Sequence, residues 1–414
     1  MPFRNALNLL LVGVLVACTA PVPLPAQSTA SPSKVASAPA KPAETASGYN
    51  QPPQNILDVM HAPSPPYPSV SPTHDAILLV SWQDYPSISR VATPFLRLAG
   101  VRVEPGNHSR HDTPGGYGIT PCARNFHPVQ VADAAQIHVA LPASACPGEP
   151  IWAADGKRFA FVNIAPESVE LWIGDAKTGA VHRVSSARLN PMLNDELQWM
   201  PDQKTLLVKL VPKGLGAPPA EPIMPIGPSI QETEGEKGQS STYENRDTLG
   251  NKHDEDLFDY YAASQLALVD AASSAITPIG KPGNYESLDP APDGHHILVT
   301  AIHKPYLYVV TYERFPNEVE AWDVSQRAHV LTHTIASRPL ADRVPIHGVP
   351  IGSARVFLAR NRPGDAHLCG SARWRRLERE CPGARQGDAS EGAVRFARRR
   401  NHPHRTALHR FRLE

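Results

Sequence analysis

A short turn followed at once by a β-rich apolar run recurs four times, and this repeat limits the fold more than any other feature of the chain. Ser71-Pro72-Thr73-His74-Asp75 leads into Ala76-Ile77-Leu78-Leu79-Val80, and Ala153-Ala154-Asp155-Gly156-Lys157 into Arg158-Phe159-Ala160-Phe161-Val162. Met200-Pro201-Asp202-Gln203-Lys204 leads into Thr205-Leu206-Leu207-Val208, and Ala291-Pro292-Asp293-Gly294-His295 into His296-Ile297-Leu298-Val299. Proline presets one dihedral of such a turn, while Asp and Gly accept the next. Complementary strands lie between the turns, as in Glu170–Asp175, Gln265–Asp270 and Glu318–Asp323. The second and third turns are 47 residues apart, and the flanking gaps of 82 and 91 residues are close to two such units or one unit with an insertion. A period of about 40–50 residues built from antiparallel strands marks a β-propeller. The fold expected is therefore all-β, with WD40/TolB-like blades. A β-sandwich with coincidental turns is the competing architecture.

The segment from Pro212 to Leu257 interrupts this pattern with a polar stretch rich in Pro and Gly, too long for a hairpin loop. It reads as an insertion at the rim. Forty-four prolines in 414 residues, about twice the usual share, fit such irregular connections. Five cysteines exclude a disulfide-dense small scaffold.

The chain begins as an address. Arg4 gives a short positive region, and Leu7 to Val16 an apolar stretch too short to span a bilayer. Leu15-Val16-Ala17-Cys18 resembles a bacterial lipobox, which implies removal of residues 1–17 and lipidation of the Cys18 thiol. An ordinary secretory signal with an incidental cysteine is the alternative. Thr19 after the cysteine, rather than Asp, points to an outer-membrane location facing the periplasm. Residues 18–48, rich in Pro, Ala and Ser, read as a disordered tether.

Several segments resemble the amino-terminal half of glutamyl endopeptidases in the prolyl oligopeptidase family of serine peptidases. They include Tyr49 to Val59, Pro94-Phe95-Leu96-Arg97-Leu98-Ala99-Gly100-Val101-Arg102-Val103, Gly216-Ala217-Pro218-Pro219, Gly227 to Glu232, and Arg314-Phe315-Pro316. Asp254-Glu255-Asp256-Leu257-Phe258-Asp259-Tyr260-Tyr261 is the most specific, and Pro339-Leu340-Ala341 closes the series. The resemblance covers residues 49–351. It implies a propeller that caps an α/β-hydrolase domain and filters peptide or polypeptide substrates. The family's nucleophile, acid and base lie in that hydrolase domain, and the 414 residues contain no Gly-x-Ser-x-Gly elbow. No catalytic residue is carried over, and neither a cofactor nor a metal is expected. The competing class is a non-enzymatic envelope propeller that binds peptides or protein partners.

From Gly352 onward the resemblance and the alternation both stop. Residues 352–414 hold 15 Arg, no Lys and 6 Asp or Glu, a formal +9, against −9 for the first 351. Arginine without lysine suits a GC-rich gene read out of frame. Asn361 to Leu368 can be back-translated so that a one-nucleotide shift reads TAPATLI, which resembles the family's continuation. The expectation is a disordered, out-of-frame tail and an incomplete ring of five or six blade equivalents. Arg373, Arg375, Arg376 and Arg398 to Arg400 offer a basic arm. Zero net charge and export argue against a nucleic-acid partner. Cys369, Cys381, His402, His404 and His409 lack the close pairing of a zinc finger. Cys122 and Cys146 would meet in an oxidising compartment and could bridge a loop; two free thiols are the alternative. Asp254, Glu255, Asp256 and Asp259 could bind Ca²⁺ or a basic peptide, or form a solvated rim loop.

Overall fold

The computed structural model describes residues 51–113, 118–223, 246–326 and 330–341, together with strand backbones at 353–358, 365–370 and 410–412. It divides into an amino-terminal unit, Met1–Ala62, and a larger one, Pro63–Glu414. The described part of the first unit contains one seven-residue helix, α1 (Gln54–Met60), with no buried residue.

In the larger unit the four sequence turns share one geometry. His74, Gly156, Gln203 and Gly294, each three residues after the turn's first residue, all have positive φ, between 57° and 73°. Their amides donate to Ser71, Ala153, Met200 and Ala291 O at 2.9–3.0 Å. The amides of those four residues in turn donate to Ala76, Arg158, Thr205 and His296 O at 2.8–2.9 Å. The i→i+3 bond and the left-handed fourth residue make this a β-turn inside a four-residue hairpin loop. Asp155, Asp202 and Asp293 lock three of the turns by accepting the amides of Lys157, Lys204 and His295.

Each turn joins the first two strands of an antiparallel meander. The first blade comprises β1 (Tyr67–Val70), β2 (Ala76–Trp82) and, beyond an insertion, β5 (Ala123–Gln130), followed by a return segment that bridges Val129 to Gln136. Its insertion carries α2 (Ile88–Val91) and a small hairpin of β3 (Leu96–Leu98) and β4 (Val101–Val103). The second blade is β6 (Ile151–Trp152), β7 (Arg158–Ile164), β8 (Val169–Asp175) and β9 (Val181–Leu189). The third is β10 (Leu197–Trp199), β11 (Thr205–Leu210), β12 (Gln265–Asp270) and β13 (Ile276–Pro278). The fourth is β14 (Asn284–Pro290), β15 (His296–Ile302), β16 (Asn317–Asp323) and β17 (Leu331–Arg338). Repeated four-stranded meanders of this kind are the blades of an incomplete β-propeller. Among the described residues no strand pairs the fourth blade back to the first.

The cores lie between successive blades. Leu78, Val80 and Phe126 of the first blade pack with Phe159 and Phe161 of the second. Ala160, Leu171 and Ile173 of the second pack with Leu206, Val208 and Val269 of the third. Leu207, Leu266 and Leu268 of the third meet Ile297, Val299 and Trp322 of the fourth. Neighbouring residues of one strand thus face opposite neighbours, so the period-2 pattern is hidden inside a continuous apolar run such as Leu206-Leu207-Val208.

Two sequence expectations change. Both wide gaps between turns are one blade plus an insertion, so residues 67–338 make four blades where the spacing allowed five or six. In addition, strand backbones occur inside the tail that composition marks as structureless. The alternation of Ser353, Arg355 and Phe357 with Ala354, Val356 and Leu358 explains the first, β18 (Ser353–Leu358), and Val356 packs with Leu298, Val319 and Ala321 of the fourth blade. It pairs with β19 (Asp365–Gly370), which pairs with β20 (Arg410–Arg412).

Candidate functional site

In a meander of four antiparallel strands the connections 1→2 and 3→4 leave one end. The connection 2→3 and the link to the next blade leave the other. The four short turns therefore share one face of the blades. The opposite face receives the described parts of the first-blade insertion (83–113 and 118–122) and of the third-blade insertion (211–223 and 246–264), the link 190–196 and the segment 303–316 of the fourth. These pieces build a core of their own. Leu98, Val101 and Val103 pack with Met192, Leu193, Leu249, Phe258, Tyr261, Tyr306, Tyr312 and Phe315. The helix in this layer, α3 (Lys252–Ala262), is capped by Asn251 Oδ1 accepting Asp254 N at 3.0 Å, and it buries Phe258, Tyr261 and Ala262 on one side.

Polar and charged groups from the first insertion, the link 190–196 and the segment 303–316 meet Lys209 of β11 and Glu286 of β14. Arg110 donates to Asn194 Oδ1 at 2.7 Å, and Asn194 Nδ2 to Tyr312 Oη at 3.3 Å. Asn194 and Asp195 both have positive φ, 61° and 47°, a sparsely populated conformation for residues other than glycine. Lys209, fully buried on β11, donates from Nζ to Tyr285 O at 3.0 Å and Glu286 O at 3.2 Å. Glu286 sits at the register shift of β14 between Tyr285 and Ser287, where a bulge re-aims a side chain. Burial pulls the Lys209 ammonium down to about 8 against the attraction of Asp195, Glu196 and Glu286. Burial likewise raises the carboxyls of Glu196 and Glu286, and pushes the Tyr312 phenol up to about 12.

The adjoining loop, Glu104 to Asp112, buries seven polar residues: Glu104, Asn107, His108, Ser109, Arg110, His111 and Asp112. His111 Nδ1 lies 2.9 Å from Glu104 Oε1, which also takes Arg90 Nη1. His108 is held down to about 4 by burial and by Arg188. A histidine–carboxylate pair beside a serine invites comparison with a hydrolytic triad. Ser109 Oγ makes no hydrogen bond, however, and is 1% exposed, so no activated nucleophile faces a substrate here. The arrangement can hold and orient charged or polar groups.

Of the residues singled out in sequence, Cys18, the central part of the 212–257 insertion and the tail side chains lie outside the described residues. Cys122 and Cys146 are joined by a disulfide with a Cα separation of 4.6 Å. The acidic run is helical and not the loop expected. Its charges are engaged: Asp259 by Lys304 Nζ at 2.7 Å and Asn284 Nδ2 at 3.0 Å, Glu255 by Tyr308 Oη at 2.8 Å, and Asp256 by Lys252. Among the described residues no group of three or more His, Cys, Asp or Glu could hold a metal, and no helix is long and apolar enough to cross a membrane. Sequence reasoning missed Arg110, Asn194, Glu196, Lys209 and Glu286. The one local sign was a lysine inside the apolar run Leu206-Leu207-Val208-Lys209-Leu210.

No family model matches the sequence. A protein named "Probable glutamyl endopeptidase, chloroplastic" from Oryza sativa subsp. japonica is 34% identical over 332 residues, which are 76% of this chain and 34% of that protein. A protein of the same name from Arabidopsis thaliana is 32% identical over 310 residues, covering 72% and 31%. Over this matched part the chain is similar to the amino-terminal part of the glutamyl endopeptidases. It spans about a third of the length of the curated relatives it matches. Solved structures that resemble this peptidase-family propeller include the β-propeller domain of the trilobed protease from Pyrococcus furiosus, 11% identical with a TM-score of 0.37, covering 75% of this chain and 66% of that one. The acylaminoacyl peptidase of Pyrococcus horikoshii (11%, 0.38, covering 76% and 36%) and TolB of Acinetobacter baumannii (12%, 0.32, covering 75% and 52%) are further ones.

Proposed function

We propose that residues 49–351 are the substrate-filtering propeller of a lipid-anchored serine peptidase of the glutamyl endopeptidase type. The peptide-bond chemistry would reside in an α/β-hydrolase domain outside these 414 residues. The observation that carries the reading is the identity of 34% with a glutamyl endopeptidase over three quarters of the chain. The charged junction of Arg110, Asn194, Glu196, Lys209 and Glu286 supports it, because a filter needs oriented polar groups and no nucleophile. Lipidation of Cys18 would place the propeller in the cell envelope, at the outer membrane, facing the periplasm, where it meets peptide substrates.

The test is biochemical. Purified residues 18–414 should hydrolyse no Glu-containing peptide and take no label from a fluorophosphonate probe. Supplied in one chain with an α/β-hydrolase domain of the family, the same propeller should restrict cleavage to short peptides. Unrestricted digestion of folded proteins by that fusion would refute the filtering role. A serine labelled within residues 18–414 would refute the assignment of chemistry elsewhere.

A further inference from the structure

On the first blade, β5 and the return segment after it place two histidines face to face. Ile137 N donates to Pro128 O at 2.8 Å and Val139 N to Phe126 O at 3.2 Å, so His138 stands directly opposite His127. Main-chain hydrogen bonds pass through the flanking residues and not through this pair. In an antiparallel ladder such a pair has the closer side chains, with Cα atoms about 4.5 Å apart. The two rings lie with centroids 5.2 Å apart, and His138 Nδ1 is 3.3 Å from His127 Nε2. His138 is exposed and His127 half-buried, so the pair opens to solvent.

That separation has a chemical meaning. Two imidazole nitrogens bound to one zinc ion at about 2.0–2.1 Å, subtending a tetrahedral angle, stand about 3.3 Å apart. We propose that His127 and His138 form a two-histidine site for a divalent transition metal of the zinc class. Water completes the coordination, because no third His, Cys, Asp or Glu joins a metal-holding group among the described residues. Without metal the two rings share one N–H···N hydrogen bond; on binding, the donor ring's proton moves to its other nitrogen, so that both rings ligate the ion as neutral imidazoles. Imidazole suits zinc, copper and nickel, whereas magnesium and calcium prefer oxygen ligands. The pair ties β5 to the last segment of its blade, so a bound ion stabilises the folded form. The inference does not depend on the peptidase reading.

The experiment uses residues 18–414 without an affinity tag. Zinc chloride is titrated calorimetrically, and the thermal midpoint is followed with and without zinc. The parent should bind zinc and gain several degrees, with no gain from magnesium at equal concentration. His138→Ala and His127→Gln should each weaken the binding at least tenfold and abolish the gain. His303→Ala, altering an exposed histidine elsewhere, should keep both. His138 is exposed, so its variant should match the parent's midpoint in the absence of metal; His127→Gln retains polar bulk should the smaller side chain disturb the strand. Equal zinc binding by the parent and both variants would overturn the proposal, as would an equal shift from magnesium.

Discussion

Replacing Lys209 with methionine tests whether the charged junction is held at an electrostatic cost. The ammonium is fully buried and its pKa is drawn down to about 8 from the ordinary 10.5. Between these values the unfolded chain binds a proton that the folded chain has released, so stability rises with pH across that window. The folded value lies below the unfolded one, and the contribution is therefore least favourable below pH 8. From pH 7 to pH 9.5 the linkage relation gives a gain of about 2 kcal/mol, with the full difference of about 3 kcal/mol reached only above pH 10.5. Tyrosines enter above pH 10: Tyr308 and Tyr312 sit at about 12 when folded, and their ionisation in the unfolded chain turns the slope downward. The comparison accordingly stops at pH 9.5. Urea unfolding at pH 7 and pH 9.5, followed by tryptophan fluorescence, should show the gain in the parent and little of it in Lys209→Met. The variant should also be less stable at pH 7, because Tyr285 O, Glu286 O and the nearby carboxyls lose their cation. An equal pH response in the two proteins would refute the reasoning.

Replacing Cys122 and Cys146 together by alanine opens a cross-link spanning 24 residues and should cost about 3.5 kcal/mol in non-reducing urea titrations, with no further loss on adding reductant. Gly294→Ala should cost only the left-handed backbone penalty, about 1–2 kcal/mol, since nothing lies within 4 Å of the new Cβ. Gly156→Ala should cost more in the same assay, as its Cβ would come within 2.0 Å of Thr73 Oγ1. Cys18→Ala should leave an unprocessed precursor on immunoblots and release the protein from the membrane fraction, because the acyl anchor depends on that thiol.

The blades were legible because their defining device is local. Six residues close each turn, and Asp202 or Asp293 can be read without knowing what lies across the ring. Blade count was not legible, since two long insertions stretch the spacing to 82 and 91 residues and imitate missing repeats. The helix at Lys252–Ala262 escaped for a related reason: its run of acids suggests a solvated loop, while Phe258, Tyr261 and Ala262 mark the buried side only when the layer above them is known. The junction was the least legible part. Arg110 and Asn194 are 84 residues apart, and Asn194 and Tyr312 118, so no spacing motif connects them. The facing of His127 and His138 likewise needed the register of the strand pair.

The two faces divide the labour of the molecule. On the turn face, aspartates accept nearby amides in the same way from blade to blade. The cleft there, about 440 Å³ between the turns of the third and fourth blades, is lined by Asp202 and Asp293 already engaged in that role. Satisfied groups of this kind stabilise a turn and have little left for a ligand. On the insertion face the balance is opposite. Asp195, Glu196, Glu286 and Glu313 gather with Arg110, Lys209 and Arg338, and the pKa values of Glu196, Glu286 and Lys209 all move toward the neutral form. The backbone there takes strained conformations at Asn194 and Asp195. Strain and incompletely compensated burial persist only where the surrounding structure enforces them. Here the enforcement comes from a separate apolar layer contributed by three blades and the link between two of them, which ties the geometry of the junction to the relative position of those blades.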